Sequence, residues 1–179
     1  PFNRNILALD SLANDKIYFD FKGVPSHAAA APWDGCSALS GVLQTFQMID
    51  NARLHFGSGT RIHGIITNGG EAFNIIPEKA AALFCVRTRQ LSDLKKVVQR
   101  VIECAQAAAS ATGTEVNVRV EKGYKNMVNN MTLARRFGDN WCSLGNTDYI
   151  ETDPEAGTFS TDMGDLSQMV PSIHPYMAI

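Results

Sequence analysis

Two hydrophobic periods alternate along residues 16–121 in an order that few folds allow. Four segments show the two-residue period of a half-buried strand, at residues 16–22, 61–67, 79–89 and 115–121. Between them, residues 37–56 and 92–112 repeat their apolar side chains at steps of three and four, which predicts two amphipathic helices. Ser37 is placed to cap the first helix and Gly113 to end the second.

The order strand, helix, strand, strand, helix, strand is that of the ferredoxin-like split βαβ arrangement. We therefore expect an α+β domain over residues 16–124, with a four-stranded antiparallel sheet covered by two helices on one face. Beyond it we expect a short helix over residues 132–144 and a helical turn capped by Ser160 or Thr161. We expect residues 1–15 to be a linker and residues 125–179 to be a returning fragment of a second domain that begins upstream of Pro1.

The charge balance argues against nucleic acid or a membrane surface as a partner. The chain has 16 Lys and Arg against 18 Asp and Glu, a net charge of −2, and no basic cluster. An RNA-binding domain of this topology would also need a basic and aromatic signature on its third strand, where Leu83, Cys85 and Arg87 share one face instead. The four cysteines are far apart and form no C-x-x-C pair, so a reducing compartment, the cytoplasm, is expected.

Two loops carry residue types that suit a binding site. In residues 23–32, His27 lies among small residues, which allow another molecule to approach an imidazole able to donate a hydrogen bond to an oxyanion or to move a proton. In residues 68–77, Asn74 follows a Gly-Gly turn and precedes Pro77, so that its amide can face a ligand. Each also has a purely structural interpretation: a polar loop side chain for His27 and a turn cap for Asn74.

Arg87 is the third candidate, near the end of the third predicted strand. A strand arginine suits bidentate recognition of a carboxylate, and it equally suits an ion pair with an acidic residue on its own sheet face. The sequence contains no H-E-x-x-H, no G-x-S-x-G, no glycine loop for phosphate and no Cys/His pair at metal spacing. A self-contained active site is therefore not expected.

Taken in order, these motifs resemble one family. The sequences SHAAAAP at residues 26–32 and GGEAFNIIP at residues 69–77, followed by the strand arginine, resemble the dimerisation (lid) domain of the zinc-dependent aminoacylase and carboxypeptidase G family. Residues 27–33, 65–70, 160–165 and 170–175 look most similar to the branch that hydrolyses aminobenzoyl-glutamate and β-alanyl-lysine-type dipeptides.

The resemblance implies a two-domain hydrolase with two zinc ions, whose catalytic domain is interrupted by this lid. In that family the metal pair activates a water, a glutamate of the catalytic domain acts as general base, and the water attacks an amide carbonyl. The metal ligands and the base are expected outside this chain, with residues 1–15 as the linker from the catalytic domain and residues 125–179 as its returning fragment. The chain alone is expected to be inactive.

The resemblance also implies roles for five residues. His27 matches the lid histidine that reaches the partner subunit's active site and stabilises the tetrahedral oxyanion. Asn74 and Arg87 match positions that hold the substrate carboxylate or the scissile group, while Thr161 and Asp162 lie on a segment expected at the active-site rim. The implied partners are a second copy of the protein, bound through the lid domain, and an N-acyl amino acid or dipeptide. A non-catalytic dimerisation or regulatory domain is the alternative.

Overall fold

The computed structural model describes residues 3–153 and 156–178 of the chain, which divide into two compact units. The lid unit comprises Asp15–Arg87 and Ser92–Lys122. The second unit comprises Thr88–Leu91 with the described residues of Pro1–Asn14 and Gly123–Ile179. No helix in the described ranges is long and apolar enough to cross a bilayer.

The fold of the lid unit confirms the ferredoxin-like α+β prediction. Its strands and helices follow the chain as β1 (Ala13–Lys22), α1 (Ala38–Ala52), β2 (Arg61–Asn68), β3 (Lys79–Thr88), α2 (Leu91–Thr112) and β4 (Glu115–Lys122). They form one four-stranded sheet in the order β2-β3-β1-β4. The β1–β4 and β2–β3 pairs are antiparallel. Strands β2 and β4 stand first and last in the order, so they are the two edges of the sheet.

One face of the sheet supplies the core of the lid unit. Ile17, Phe19 and Phe21 alternate along β1 on this face, and Phe84 and Val86 continue it on β3. The Phe19 and Phe84 rings lie 5.9 Å apart, edge to face, and Phe46 of α1 lies 4.6 Å from Phe84. The helix α2 buries the predicted apolar stripe, which includes Leu94, Val97, Val98 and Val101. The opposite face, called the open face below, carries Lys16, Tyr18, His63, Cys85 and Arg87.

The element ends differ from the predicted ones for identifiable reasons. Strand β1 begins at Ala13, three residues before the predicted start. The prediction missed Ala13, Asn14 and Asp15 because all three are buried, so the alternation of buried and exposed residues that marks a strand is missing there. The first helix ends at Ala52, and residues Arg53–His55 continue it as one 3₁₀ turn. Ser37 does cap α1, accepting from the Ser40 N–H at 3.3 Å.

The second unit is organised around a short buried segment near the start of the chain. Ile6 exchanges backbone hydrogen bonds with Tyr176, at 2.8 Å in both directions, and also bridges Ile150. Residues 6–9 are buried in two apolar clusters. The sequence predicts a linker over residues 1–15, whereas the described part contributes to the core of this unit because Ile6, Leu7 and Leu9 need burial.

Two helices complete the second unit. Helix α3 spans Met131–Ser143 and is capped by Asn130, whose side chain accepts from the Leu133 N–H. Its Ala134 packs with Leu7 and Ala8. Helix α4 is a single short segment, Met163–Ser167.

Candidate functional site

The loops that carry His27 and Asn74 are joined by backbone hydrogen bonds. We call residues 23–37 and 69–78 together the lid platform. His27 bridges Ile75, the Ala28 N–H donates to the Asn74 carbonyl at 2.9 Å, and the Ile76 N–H donates to the Ser26 carbonyl at 2.8 Å. The structure therefore brings these two predicted site residues side by side.

The His27 ring is exposed, and its environment selects one tautomer. Its Nδ1 accepts from the Ala29 N–H at 3.3 Å and the Ala30 N–H at 3.1 Å. An imidazole nitrogen that accepts cannot also carry a proton, so the neutral ring carries its proton on Nε2. No described residue hydrogen-bonds Nε2, which leaves an N–H donor available to another molecule.

Small residues allow the platform to fold tightly. Val24 and Cys36 exchange backbone hydrogen bonds of 2.8 Å, which bring the two ends of the His27 loop together. A Cβ on Gly23 would lie 1.9 Å from the Cys36 carbonyl oxygen, so only glycine fits there. In the second loop, Gly70 has a φ of +110° and donates its N–H to the Asn68 side chain at 2.9 Å.

Two large aromatic side chains project from the platform beside these residues. Trp33 is 78% exposed and Phe73, next to Asn74, is fully exposed. Sequence reasoning missed both, although an aromatic residue in a loop with no apolar periodicity around it is a usable signal. Both aromatic side chains lie on the loops that carry His27 and Asn74.

Arg87 lies elsewhere in the lid unit. It follows Lys79 by eight positions in β3, which at about 3.4 Å per residue places it roughly 27 Å further along the strand. Its Cα partner is Arg61, and its Nε is buried without a hydrogen-bond partner in the described part of the chain. The open face next to it carries His63, whose pKa is lowered by burial and then by the positive charges of Arg87 and Arg53. Within one chain, Arg87 is therefore not part of the His27 and Asn74 site.

Thr161 and Asp162 belong to the second unit, at the start of α4. The Thr161 hydroxyl donates to Asp162 Oδ1 at 3.2 Å and accepts from the Met163 N–H at 3.3 Å. Asp162 is the N-cap residue of α4 and makes no side-chain capping bond. The predicted cap, Ser160 or Thr161, is thus displaced by one or two positions.

The residues that the structure describes do not supply a metal site. Across residues 3–153 and 156–178, no group of three or more His, Cys, Asp or Glu side chains lies close enough to hold an ion. We therefore assign no metal ligand in this part of the protein and derive no step through a metal. The four cysteines are free thiols.

Comparison with known proteins decides the family. The family model described as the peptidase dimerisation domain of the M20 group matches residues 12–113, more than half of the chain. The chain belongs to the M20 peptidase dimerisation domain family. This confirms the predicted resemblance, and M20 peptidases are generally metal-dependent.

The M20 chain has curated relatives among hydrolases. It is 34% identical to the Xaa-Arg dipeptidase of Mus musculus over its whole length, covering 42% of that protein. It is 33% identical, over 69% of its length, to one of the subunits of the p-aminobenzoyl-glutamate hydrolase of Escherichia coli, covering 26% of that polypeptide. The chain thus spans less than half the length of these relatives.

Solved structures share the fold of this M20 chain. The aminobenzoyl-glutamate utilization protein from Klebsiella pneumoniae matches 94% of the chain and 42% of its own, with a TM-score of 0.74 at 17% identity. A putative aminohydrolase from methicillin-resistant Staphylococcus aureus matches 97% of the chain and 46% of its own, with a TM-score of 0.77 at 12% identity. At these identities the matches establish the fold alone.

Proposed function

We propose that this M20 dimerisation domain lends His27 to the active site of a partner subunit, in a homodimeric, zinc-dependent hydrolase that cleaves N-acyl amino acids or dipeptides. The single observation that carries the proposal is the Nε2–H of His27, which is exposed, fixed in its tautomer by two backbone N–H groups and free of any described partner. We further propose a cytoplasmic location, which suits four free thiols.

The proposed chemistry of His27 is oxyanion stabilisation. When a nucleophile adds to an amide carbonyl, negative charge develops on the carbonyl oxygen, and a preorganised N–H donor lowers the energy of that state. The backbone hydrogen bonds to Nδ1 hold the ring in place before the reaction. The implied pair of zinc ions supplies the activated water when bound, with ligands outside the described residues. Asn74 is proposed to hold the substrate next to His27.

The exposed aromatic side chains support docking of the platform against another subunit. Burial of apolar surface yields about 25 cal/mol per Å², so Trp33 and Phe73 would favour a covered state. A cover also removes water from around His27, which strengthens its hydrogen bond to the oxyanion. We place the partner's active site over this surface.

The two edges of the sheet support β2 as the dimerisation edge. On β2 the side chains of Ile65 and Ile66 are 61% and 42% exposed, beside the exposed polar or charged residues Arg61, His63, Thr67 and Asn68. On β4 the exposed side chains are polar or charged, at Glu115, Asn117, Arg119 and Lys122. Charged residues protect an edge from pairing, whereas an apolar edge is a template for it. We therefore propose that two copies associate along β2.

The names of the relatives narrow the proposed substrate. One relative is called a Xaa-Arg dipeptidase and another a p-aminobenzoyl-glutamate hydrolase. Both names describe an amide bond whose C-terminal side is an amino acid. We propose a substrate of the same class for the full-length protein, with Arg87 as a candidate for binding its carboxylate across the dimer.

The test is His27→Ala in the full-length protein. Removal of one oxyanion donor typically lowers turnover about 100- to 1,000-fold, and we expect that loss with an unchanged zinc content. His27→Gln, which keeps an N–H donor on a side chain of similar reach, should retain more activity than His27→Ala. Near-normal turnover in His27→Ala would refute the assigned role and favour a purely structural domain.

Mixed dimers test whether His27 acts on the partner. Subunits carrying His27→Ala are mixed with subunits inactivated in their own metal-binding domain. If His27 serves the partner, each mixed dimer contains one complete site and activity returns on mixing. Absence of recovery, with dimers re-formed, would place His27 in its own subunit's site.

A further inference from the structure

Strands β2 and β3 form a half of the open face that contains no carboxylate. Neither Arg61–Asn68 nor Lys79–Thr88 includes an Asp or a Glu. The carboxylates of the sheet lie on the other two strands, and the ion pairs Lys16–Glu121 and Lys122–Asp15 join β1 to β4. The positive charges of β2 and β3 are therefore not neutralised within the sheet.

The register of β2 and β3 places His63 beside Arg87 at one end of this half. Arg61 lies directly opposite Arg87, and His63 lies opposite Cys85, so His63 and Arg87 are diagonal neighbours on the open face. Diagonal positions are roughly 7–8 Å apart, which long side chains can span. Arg61 is turned away, because its guanidinium donates to two backbone carbonyls at 2.6 and 3.0 Å. A ligand at this end of the face therefore meets the imidazole and the Arg87 guanidinium together.

The Arg87 guanidinium has an unused donor at this position. Its Nε is buried and has no hydrogen-bond partner among the residues that the structure describes. A buried N–H without a partner is costly, and a carboxylate is the group that best matches the arginine fork. A carboxylate that satisfies Arg87 would lie within reach of His63.

The charged groups around His63 on its own half of the face are positive. Arg87 is the charged neighbour on β3, where Cys85, opposite His63, is a free thiol. Arg53, which follows α1 and pairs with Asp50, donates at 2.6 Å to the backbone carbonyl that precedes His63. Burial lowers the pKa of His63 first, and these two arginine charges lower it further. An anion that neutralises Arg87 raises this pKa, so anion binding and protonation of His63 favour each other.

The other half of the open face keeps a carboxylate away from His63. Lys16 and Tyr18 of β1 donate to Glu121 of β4, at 2.9 and 3.1 Å, and Arg119 pairs with the same carboxylate at 3.6 Å. Strand β4 is three strands from β2 in the sheet, roughly 14 Å at about 4.8 Å per strand. Glu121 therefore does not neutralise the charges beside His63.

We infer that His63 is a second binding group for the substrate carboxylate, beside Arg87, and that its protonation tightens the binding of substrate. The neutral imidazole offers the carboxylate one N–H donor, and the protonated imidazole adds a positive charge. The inference rests on the proposed function, since it concerns the carboxylate that Arg87 is proposed to hold.

The experiment measures kcat and KM of the zinc-loaded full-length protein between roughly pH 5.5 and pH 7.5, the range in which histidine titrates. The substrate is the dipeptide that the wild-type protein hydrolyses best from a panel with neutral, cationic and anionic C-terminal residues. We expect the KM of the wild-type protein, relative to His63→Gln, to fall about fivefold toward the lower pH, while kcat changes equally in both.

Two further variants make the test specific. His63→Lys keeps a positive charge over the whole range, so its KM should stay low and lose this pH dependence. The matched control is His55→Gln, which removes an exposed imidazole from the 3₁₀ turn after α1 and should follow the wild-type profile.

The outcomes separate the inference from the proposed function. Equal KM profiles in the wild-type protein and His63→Gln would overturn the role of His63, while a raised KM in Arg87→Gln would leave the proposed carboxylate site intact. A change in kcat alone, or the same change in His55→Gln, would also overturn it, because neither reflects substrate binding at His63. Absence of hydrolysis across the whole panel would overturn the proposed function, and the inference with it.

Discussion

Gly23 of the lid platform has no room for a side chain, whereas Gly57, elsewhere in the lid unit, has room for one. Gly23 packs against the backbone of Cys36 and Ala38, where an added Cβ would lie 1.9 Å from an oxygen and 2.8 Å from a nitrogen. Backbone atoms cannot yield as a flexible side chain can, so relief requires the His27 loop to shift. The catalytic geometry proposed for His27 therefore depends on a residue that takes no part in the chemistry.

The prediction at this scale is that Gly23→Ala destabilises the protein. Overpacking typically costs about 1–3 kcal/mol, and contact with backbone atoms puts this change at the upper end. Urea denaturation measures the free energy of unfolding. Gly57→Ala is the control, because no atom of the described residues lies within 4 Å of its added Cβ, and it should be neutral or slightly stabilising. Equal stability of the two variants would contradict the close packing at Gly23.

At the residue scale, the sequence predicted some properties of the candidate site and missed others. The motif around His27 predicted an accessible imidazole, and the structure adds that its Nδ1 is occupied by backbone donors. The separation of Arg87 from the Asn74 loop follows from the predicted bounds of the third strand, whereas the pairing of Arg87 with Arg61 depends on the register of β2 and β3, which no local pattern encodes. The exposure of Trp33 and Phe73 was missed because composition alone does not tell a core aromatic from a surface one, although their position in loops without apolar periodicity was a usable signal.

At the scale of elements, periodicity predicted the order of strands and helices in the lid unit and most of their ends. Periodicity gave the wrong start for β1, where consecutive residues are buried instead of alternating with exposed ones. It also gave the wrong end for α1, which is followed by a 3₁₀ turn. The pairings of the second unit were not predicted, because Ile6 bridges residues about 140 and 170 positions further along the chain, and no local pattern encodes such contacts.

The open face of the sheet couples Arg87 to His63. Burial lowers the pKa of His63 first, and the Arg87 charge lowers it further. We expect Arg87→Gln to raise the pKa of His63 toward its ordinary value, since one of the nearby positive charges is removed. An NMR titration of the imidazole resonances measures this. Arg61→Gln is the control, because the Arg61 guanidinium is turned toward the Ser58 and Thr60 carbonyls.

The same pKa shift predicts how stability depends on pH. Because the pKa of His63 is lower in the folded state than the ordinary 6.5, the unfolded chain takes up the proton first as pH falls. The free energy of unfolding therefore decreases as pH falls from about 6.5 through the folded pKa, and His63 has no effect above that range. In His63→Gln this part of the pH dependence should be absent, as denaturation at several pH values will measure. An identical profile in both proteins would contradict the shift.

At the scale of the whole molecule, the proposed activity depends on a second copy, because the exposed His27 is proposed to act in the partner subunit's active site. Under this proposal each active site is complete only where two chains meet in one orientation. The β2 edge exposes Ile65 and Ile66, whereas all of the exposed side chains of β4 are polar or charged, and this difference favours β2 for the contact. Assembly and catalysis should therefore be lost together.

The corresponding variant is Ile65→Lys in the full-length protein, which places a charge on the apolar edge. We expect sedimentation velocity to show a shift from dimer to monomer and turnover to fall with the dimer fraction, because His27 then no longer reaches a partner. Asn117→Lys puts the same charge on the β4 edge and should leave the dimer intact. A monomer with full turnover would disprove the coupling of assembly to catalysis, and an unaltered dimer would move the interface away from β2.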